Sequence, residues 1–277
     1  MIFKKYCRSL FYEIVIRMKI VNQFLPRLRA RIFFVFAGVF FIITSVSFPA
    51  HAQTQYSFRG WAAIFATYRL NSKISLYCDA QLRSSAEWKE VQTFIFRPGI
   101  HFHVNNNMIA TVGYAYIGHH RTVDSVSGWG PEHRIWEQFI INQTFNISGH
   151  PTTLQHRLRL EQRFISRSVV NDDKLVTDGY NFSQRLRYFA RAVFPLQKTT
   201  SFARGAFISL QDEIFVNVEN SPSTNGKFFD QNRFYTSIGY RTSRKFDIEI
   251  GYMNQFIEGK TSNSVNNILQ AAGYLRL

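Results

Sequence analysis

The chain has 277 residues, with 33 Lys+Arg against 18 Asp+Glu and a formal charge of +15. Its 28 Phe and 13 Tyr exclude an intrinsically disordered chain, its two cysteines exclude a disulfide scaffold, and a mean hydropathy of −0.16 excludes a bundle of membrane helices. Taken alone, the charge reads as a nucleic-acid binder, so its distribution along the chain decides the matter.

The N-terminus carries the first element. Arg27, Arg29 and Arg31 precede an uncharged apolar run over 32–48, and Ala50-His51-Ala52 follows it. A basic region, an apolar run and a small-x-small site together predict a secretory signal peptide over 1–52, with Met18 as an alternative start. A single membrane anchor is the competing reading, but the run is shorter than the usual spanning length of about 20 residues. The leader holds eight basic residues and one acid, so +7 belongs to it and +8 to residues 53–277. Export removes cytosolic nucleic acid as a partner. Cys7 belongs to the leader, which leaves Cys78 without a pairing cysteine.

From Trp61 onward the hydrophobic period is two. In 74–83, Ile74, Leu76, Cys78, Ala80 and Leu82 alternate with polar residues, which gives a strand one oily and one wet face. Eleven such runs occur: 60–70, 73–84, 91–104, 108–118, 132–145, 153–165, 181–196, 201–218, 231–241, 246–256 and 265–277. No helical period follows the leader. Connections alternate in length. Short ones fall at 71–72, 105–107, 146–152, 197–200 and 242–245. Longer ones fall at 85–90, 119–131, 166–180, 219–230 and 257–264. This alternation, with strands longer than the ~9–11 residues a tilted membrane strand needs, predicts one all-β domain over 53–277: an antiparallel transmembrane β-barrel. Tyr114, Tyr116, Tyr188, Phe194, Tyr240, Tyr252 and Tyr274 near strand ends read as interfacial girdles. Bacterial barrels have even strand numbers. A short strand within 53–60 would make twelve, the favoured count, and exclusion of the first run would make ten.

The polar phase is rich in charge. Arg97, Arg134, Arg157, Arg159, Glu161, Arg163, Arg185, Arg187, Glu213, Arg233 and Glu249 fall on one face, with His101, Arg191 and Asp247. They predict a charged lumen. It is either a salt-bridge network filling the interior or a pore that attracts small anions. The alternative from another class is a lipid-modifying acyl hydrolase built on Ser125 or Ser127 with His119, His120 or His156. Its residues are scattered, and no catalytic set is assigned. No cofactor or metal motif occurs, and His101 and His103 read as lumen filling.

The order of certain motifs resembles an uncharacterised outer-membrane family, domain of unknown function 2490, over about 60–277. The carriers are Phe96-Arg97-Pro98-Gly99, Glu132-x-Arg134-x-Trp136-x-Gln138, the stretch from His156 to Arg163, and Arg185-Leu186-Arg187-Tyr188. Further carriers are Asp212-Glu213-Ile214-Phe215, Asp230-Gln231-Asn232-Arg233 and Glu249-Ile250-Gly251-Tyr252-x-Asn254-Gln255. The resemblance implies a β-barrel in the outer membrane of a Gram-negative bacterium. The strand pattern reads as a monomer with outer-membrane lipid around it, and the alternating last strand, ending Tyr274-Leu275-Arg276-Leu277, resembles the signal read by the barrel-assembly machinery, with Leu277 in place of the usual terminal aromatic residue. The resemblance implies no activity. The expected role is a small passive pore or a structural or binding barrel.

Overall fold

The computed structural model describes residues 54–219 and 224–277. The signal-peptide expectation for 1–52 lies outside these residues.

Strands with one apolar and one polar face must hide one face, and a sheet closed on itself does so without leaving an edge. Here eleven strands close a barrel: β1 Thr54–Arg69, β2 Ile74–Ser84, β3 Val91–His103, β4 Met108–Val123, β5 Val126–Ile147, β6 His150–Asn171, β7 Lys174–Pro195, β8 Gly205–Glu219, β9 Phe229–Ser243, β10 Phe246–Ile257 and β11 Asn263–Arg276. Each strand is antiparallel to its neighbour in sequence. Each of the eleven periodic runs falls on one strand, although 201–204 of the eighth run precede β8.

The favoured count of twelve is corrected. Residues 54–60 do not form an extra strand; they extend β1 toward its start. An odd number of strands that alternate up and down brings the first and last into the same direction. The seam is therefore parallel, with Ala62 opposite Ala271 and Phe65 opposite Tyr274. The barrel is mixed rather than wholly antiparallel.

Two expected long loops are also corrected. Residues 119–131 and 166–180 mostly continue their strands and meet in tight turns. Asp124 and Ser125 have φ of 47° and 68°, and Asp172 and Asp173 have 48° and 57°. Positive φ at both central residues is the hairpin turn whose twist matches paired strands, and Asp tolerates it better than most residues. The loop-like composition of these stretches reflects solvated hairpins.

The two faces separate by chemistry. Ile64, Leu76, Phe94, Ile100, Leu158, Leu210, Ile238 (66% exposed) and Ile250 (55%) point outward, while Arg, Glu, Gln and Ser occupy the alternate positions and are buried. The interior also holds large apolar rings, which the alternation did not predict. Trp61, Trp136, Phe189, Phe207, Phe215 and Tyr235 are buried. Trp136 owes its place to two glycines across the sheet. A Cβ on Gly99 would stand 2.9 Å from its ring, and one on Gly113 would meet both the ring and the Pro98 carbonyl. The expected girdle residue Tyr274 also turns inward, where its hydroxyl donates to Glu249 at 2.8 Å.

Candidate functional site: the charged interior

Period-two alternation places the charged side chains of neighbouring strands in one enclosed space. There a lone charge is costly and must find partners. The partners form a lattice of carboxylates, each held by several donors. Nearest the Asp124 and Asp172 hairpins is Glu132 on β5. It accepts from Arg134 and Arg163, both at 2.7 Å, and its other oxygen lies 3.1 Å from His119 Nε2. Next comes Glu161 on β6, 1% exposed. It accepts from Arg187 at 2.5 Å, Arg185 at 2.8 Å and Arg134 at 3.3 Å, and Arg97 and Arg159 each approach to 4.0 Å. Glu213 on β8 accepts from Arg187 at 2.7 Å and Arg157 at 2.8 Å. Asp79 on β2 pairs with Arg97 at 3.1 Å.

Deeper in the barrel, Glu249 on β10 accepts from Arg191 on β7 at 2.6 Å. It also accepts from the Tyr235 and Ser237 hydroxyls, both at 3.2 Å. At the rim near the short turns, Asp247 is held by Arg241 at 2.8 Å and Arg276 at 2.6 Å. Adjacent oppositely charged side chains stabilise a sheet pair, but several of these contacts skip strands. Arg97 to Glu161 runs from β3 to β6, and Arg191 to Glu249 from β7 to β10. Arg185 on β7 also reaches Asp230 on β9 at 2.8 Å. Contacts of this kind fill the cross-section.

Arginine faces lie on the interior rings. Arg159 stacks over Trp136 at 4.6 Å, and Arg187 over Phe215 at 4.4 Å. Such stacking suits a guanidinium, which is planar and weakly hydrated. No signal in the strand alternation pointed to these rings.

Every residue proposed from the sequence for the charged face lies inside the barrel: Arg97, Arg134, Arg157, Arg159, Glu161, Arg163, Arg185, Arg187, Glu213, Arg233 and Glu249. Most of them belong to one connected set around Glu161 and Glu213. Glu249 belongs to a separate group with Arg191. Among the described residues Arg233 makes no ion pair within 4.0 Å, although Glu213 is its cross-strand partner, and Arg83, which sequence reasoning did not select, makes none either. His101 and His103 also point inward, 2.7 Å from Thr111 Oγ1 and Ser75 Oγ respectively.

The hydrolase residues do not converge. Ser125 is a turn residue, and the Ser127 hydroxyl pairs with Thr122 at 2.8 Å. His119 faces Glu132, His120 faces Glu90 at 3.2 Å, and His156 points outward beside the Tyr188 hydroxyl at 2.8 Å. Among the described residues, no group of three or more His, Cys, Asp or Glu is placed to hold a metal ion.

A closed barrel of eleven strands with a buried arginine–carboxylate lattice defines the class of protein. Residues 58–266 match the family described as Protein of unknown function (DUF2490), and the chain belongs to that family. It is also similar to an uncharacterised protein of Methylorubrum extorquens, 25% identical over 205 residues, which cover 73% of this chain and 81% of the relative.

Proposed function

We propose that this protein is an outer-membrane β-barrel of a Gram-negative bacterium whose interior is closed by its own side chains. It acts as a structural or binding barrel rather than an open channel. The observation that carries the reading is the inversion of faces. Apolar side chains project from the outside of every strand, while most of the strands' charges, and all the arginines of the lattice, are inside. A soluble monomer rarely exposes a contiguous apolar patch larger than a few hundred Å². A bilayer gives such a belt an apolar surrounding. Strands of 11–22 residues exceed the ~9–11 needed for a tilted crossing. Polar groups on the outer face are paired among themselves, which lowers the cost of facing lipid. Gln162 donates to Glu137 at 3.1 Å, and Asn232 to Asp212 at 2.7 Å.

Closure follows from the lattice. Trp136, Phe215, Tyr235, Arg159 and Glu161 are at most 1% exposed although they face the barrel axis, so water does not reach them. Barrels of about eight strands are filled by side chains, and 16-stranded ones hold a channel. Eleven strands with arginine-sized residues fall on the filled side. Protein reconstituted into vesicles, with insertion checked by flotation, should leave them tight to small solutes and give no conductance steps in planar bilayers. Discrete steps from the intact protein would overturn the closed interior. Failure to insert would overturn the membrane placement.

A further inference from the structure

Toward the hairpin end, the interior opens into a cavity of about 200 Å³. Seven of its lining residues are arginines and none is Asp or Glu. The carboxylates sit behind the guanidiniums. Five of the seven have a carboxylate within 4.0 Å: Arg97, Arg134, Arg163, Arg185 and Arg187. Arg83 and Arg233 do not.

Both are held by neutral groups. Arg83 donates to Gln81 at 2.7 Å and lies 3.8 Å over the Trp61 ring, and its Nε is buried without a partner. Arg233 donates to Gln231 at 3.3 Å and, with the Gln255 amide oxygen turned toward it, to Gln255 at 3.1 Å. It faces Trp61 at 5.1 Å and Phe215 at 4.7 Å. A guanidinium stays charged at any relevant pH. Enclosed without a counter-ion it is strongly unfavourable. Arg83 has no carboxylate nearby. Arg233 has only Glu213 across the strand pair, which Arg157 and Arg187 already hold at 2.8 and 2.7 Å. The wall therefore carries an excess of positive charge, which an anion inside the cavity would offset.

We infer that the cavity is a binding site for a small soluble oxyanion, a phosphate in the simplest case, held by Arg83 and Arg233 together. A planar guanidinium fork matches the spacing of two phosphate oxygens. Glu132 and Glu161 fix the surrounding arginines in place, so further donors are oriented before the anion arrives. Size limits the ligand. Pockets for drug-sized molecules run to about 300–1,000 Å³. A liquid water occupies ~30 Å³. The cavity therefore suits one phosphate with a few waters and is too small for a nucleotide. The inference needs the closed interior and not the membrane, so failure of the membrane placement leaves it standing.

The test is isothermal titration of inorganic phosphate into the full chain, folded in detergent, with ionic strength held constant by chloride. The expected result is saturable one-site binding. Arg83→Gln and Arg233→Gln should each weaken it by about 10- to 100-fold, the worth of hydrogen bonds to a charged group. Lys198→Gln, on an exposed turn, should bind as the parent does. Arg83→Lys, which keeps the charge and loses the fork, should also bind more weakly. Folding of each variant is read separately from its gel mobility before and after boiling. Absence of saturable binding in the parent protein would overturn the site, and so would unchanged binding in folded Arg83→Gln and Arg233→Gln.

Discussion

Arg191 on β7 crosses the barrel interior to Glu249 on β10, with Nη2 2.6 Å from Oε2, and on the way it donates to the Tyr274 hydroxyl of β11 at 2.8 Å. A contact that skips two strands cannot form along a sheet surface. It exists because the sheet is closed and narrow enough for one arginine to reach across it. The same logic governs Glu161, on which arginines from β5, β6, β7 and β3 converge. Charge in this barrel is cross-bracing before it is anything else.

The first prediction concerns that bracing. Glu161→Ala takes a buried acceptor from Arg134, Arg185 and Arg187 at once and leaves Arg185 with Asp230 and Arg187 with Glu213. Breaking a buried pair on one side costs about 3–5 kcal/mol. Arg167 and Asp178 form an exposed pair 3.9 Å apart, and such pairs are worth ~0–1 kcal/mol. The temperature at which the folded, fast-migrating gel form disappears should fall markedly for Glu161→Ala and barely for Arg167→Ala. Equal, small effects would contradict a lattice centred on Glu161.

A second prediction concerns packing. Gly113 leaves space that the Trp136 ring and the Pro98 carbonyl occupy. Gly113→Ala should destabilise by about 1–3 kcal/mol through overpacking. A smaller side chain at 136 should relieve the ring's share of the clash and leave the Pro98 carbonyl's, so Gly113→Ala combined with Trp136→Leu should lose somewhat less than the two single changes together. Thermal midpoints of the four proteins form the required cycle, and strict additivity would argue against the contact.

The eleven-strand seam is open to a direct check. Ala62 and Ala271 face each other across the parallel β1–β11 pairing. In a Cys78→Ser background, Ala62→Cys with Ala271→Cys should form an intrachain disulfide on mild oxidation, visible as a reductant-sensitive shift after boiling. An inserted twelfth strand would hold the two apart and give no cross-link.

How much of this was legible in the sequence varies by feature, for physical reasons. The strands were readable because lipid-like and charged faces alternate strictly, as in Arg157-Leu158-Arg159-Leu160-Glu161. The inward placement of the arginines follows from the same phase. The start of β1 does alternate, with Tyr56 and Phe58 set against Gln55, Ser57 and Arg59, but nothing local tells a continuation of β1 from a separate short strand. Asp124-Ser125 and Asp172-Asp173 looked like loops because turn residues and solvated hairpin ends share a composition. Trp136 and Phe215 broke the rule that interiors of such barrels are polar. Their places depend on Gly99 and on arginine faces contributed by other strands. Pairings such as Arg191 with Glu249 depend on the closed cross-section, which no local pattern encodes. Arg83 went unselected because a lone arginine at a strand end has no distinguishing local signal.

The central claim, that the outer face meets lipid while the charge is enclosed, can be tested at a native residue. Cys78 is a free thiol on the outward phase of β2, between Leu76 and Leu82. With Cys7 replaced by serine, a nitroxide on Cys78 in reconstituted vesicles reports its surroundings through collisions with oxygen, which concentrates in lipid, and with a polar nickel chelate, which stays in water. The account predicts strong relaxation by oxygen and little by the chelate. The reverse ordering would place this face in water and contradict it.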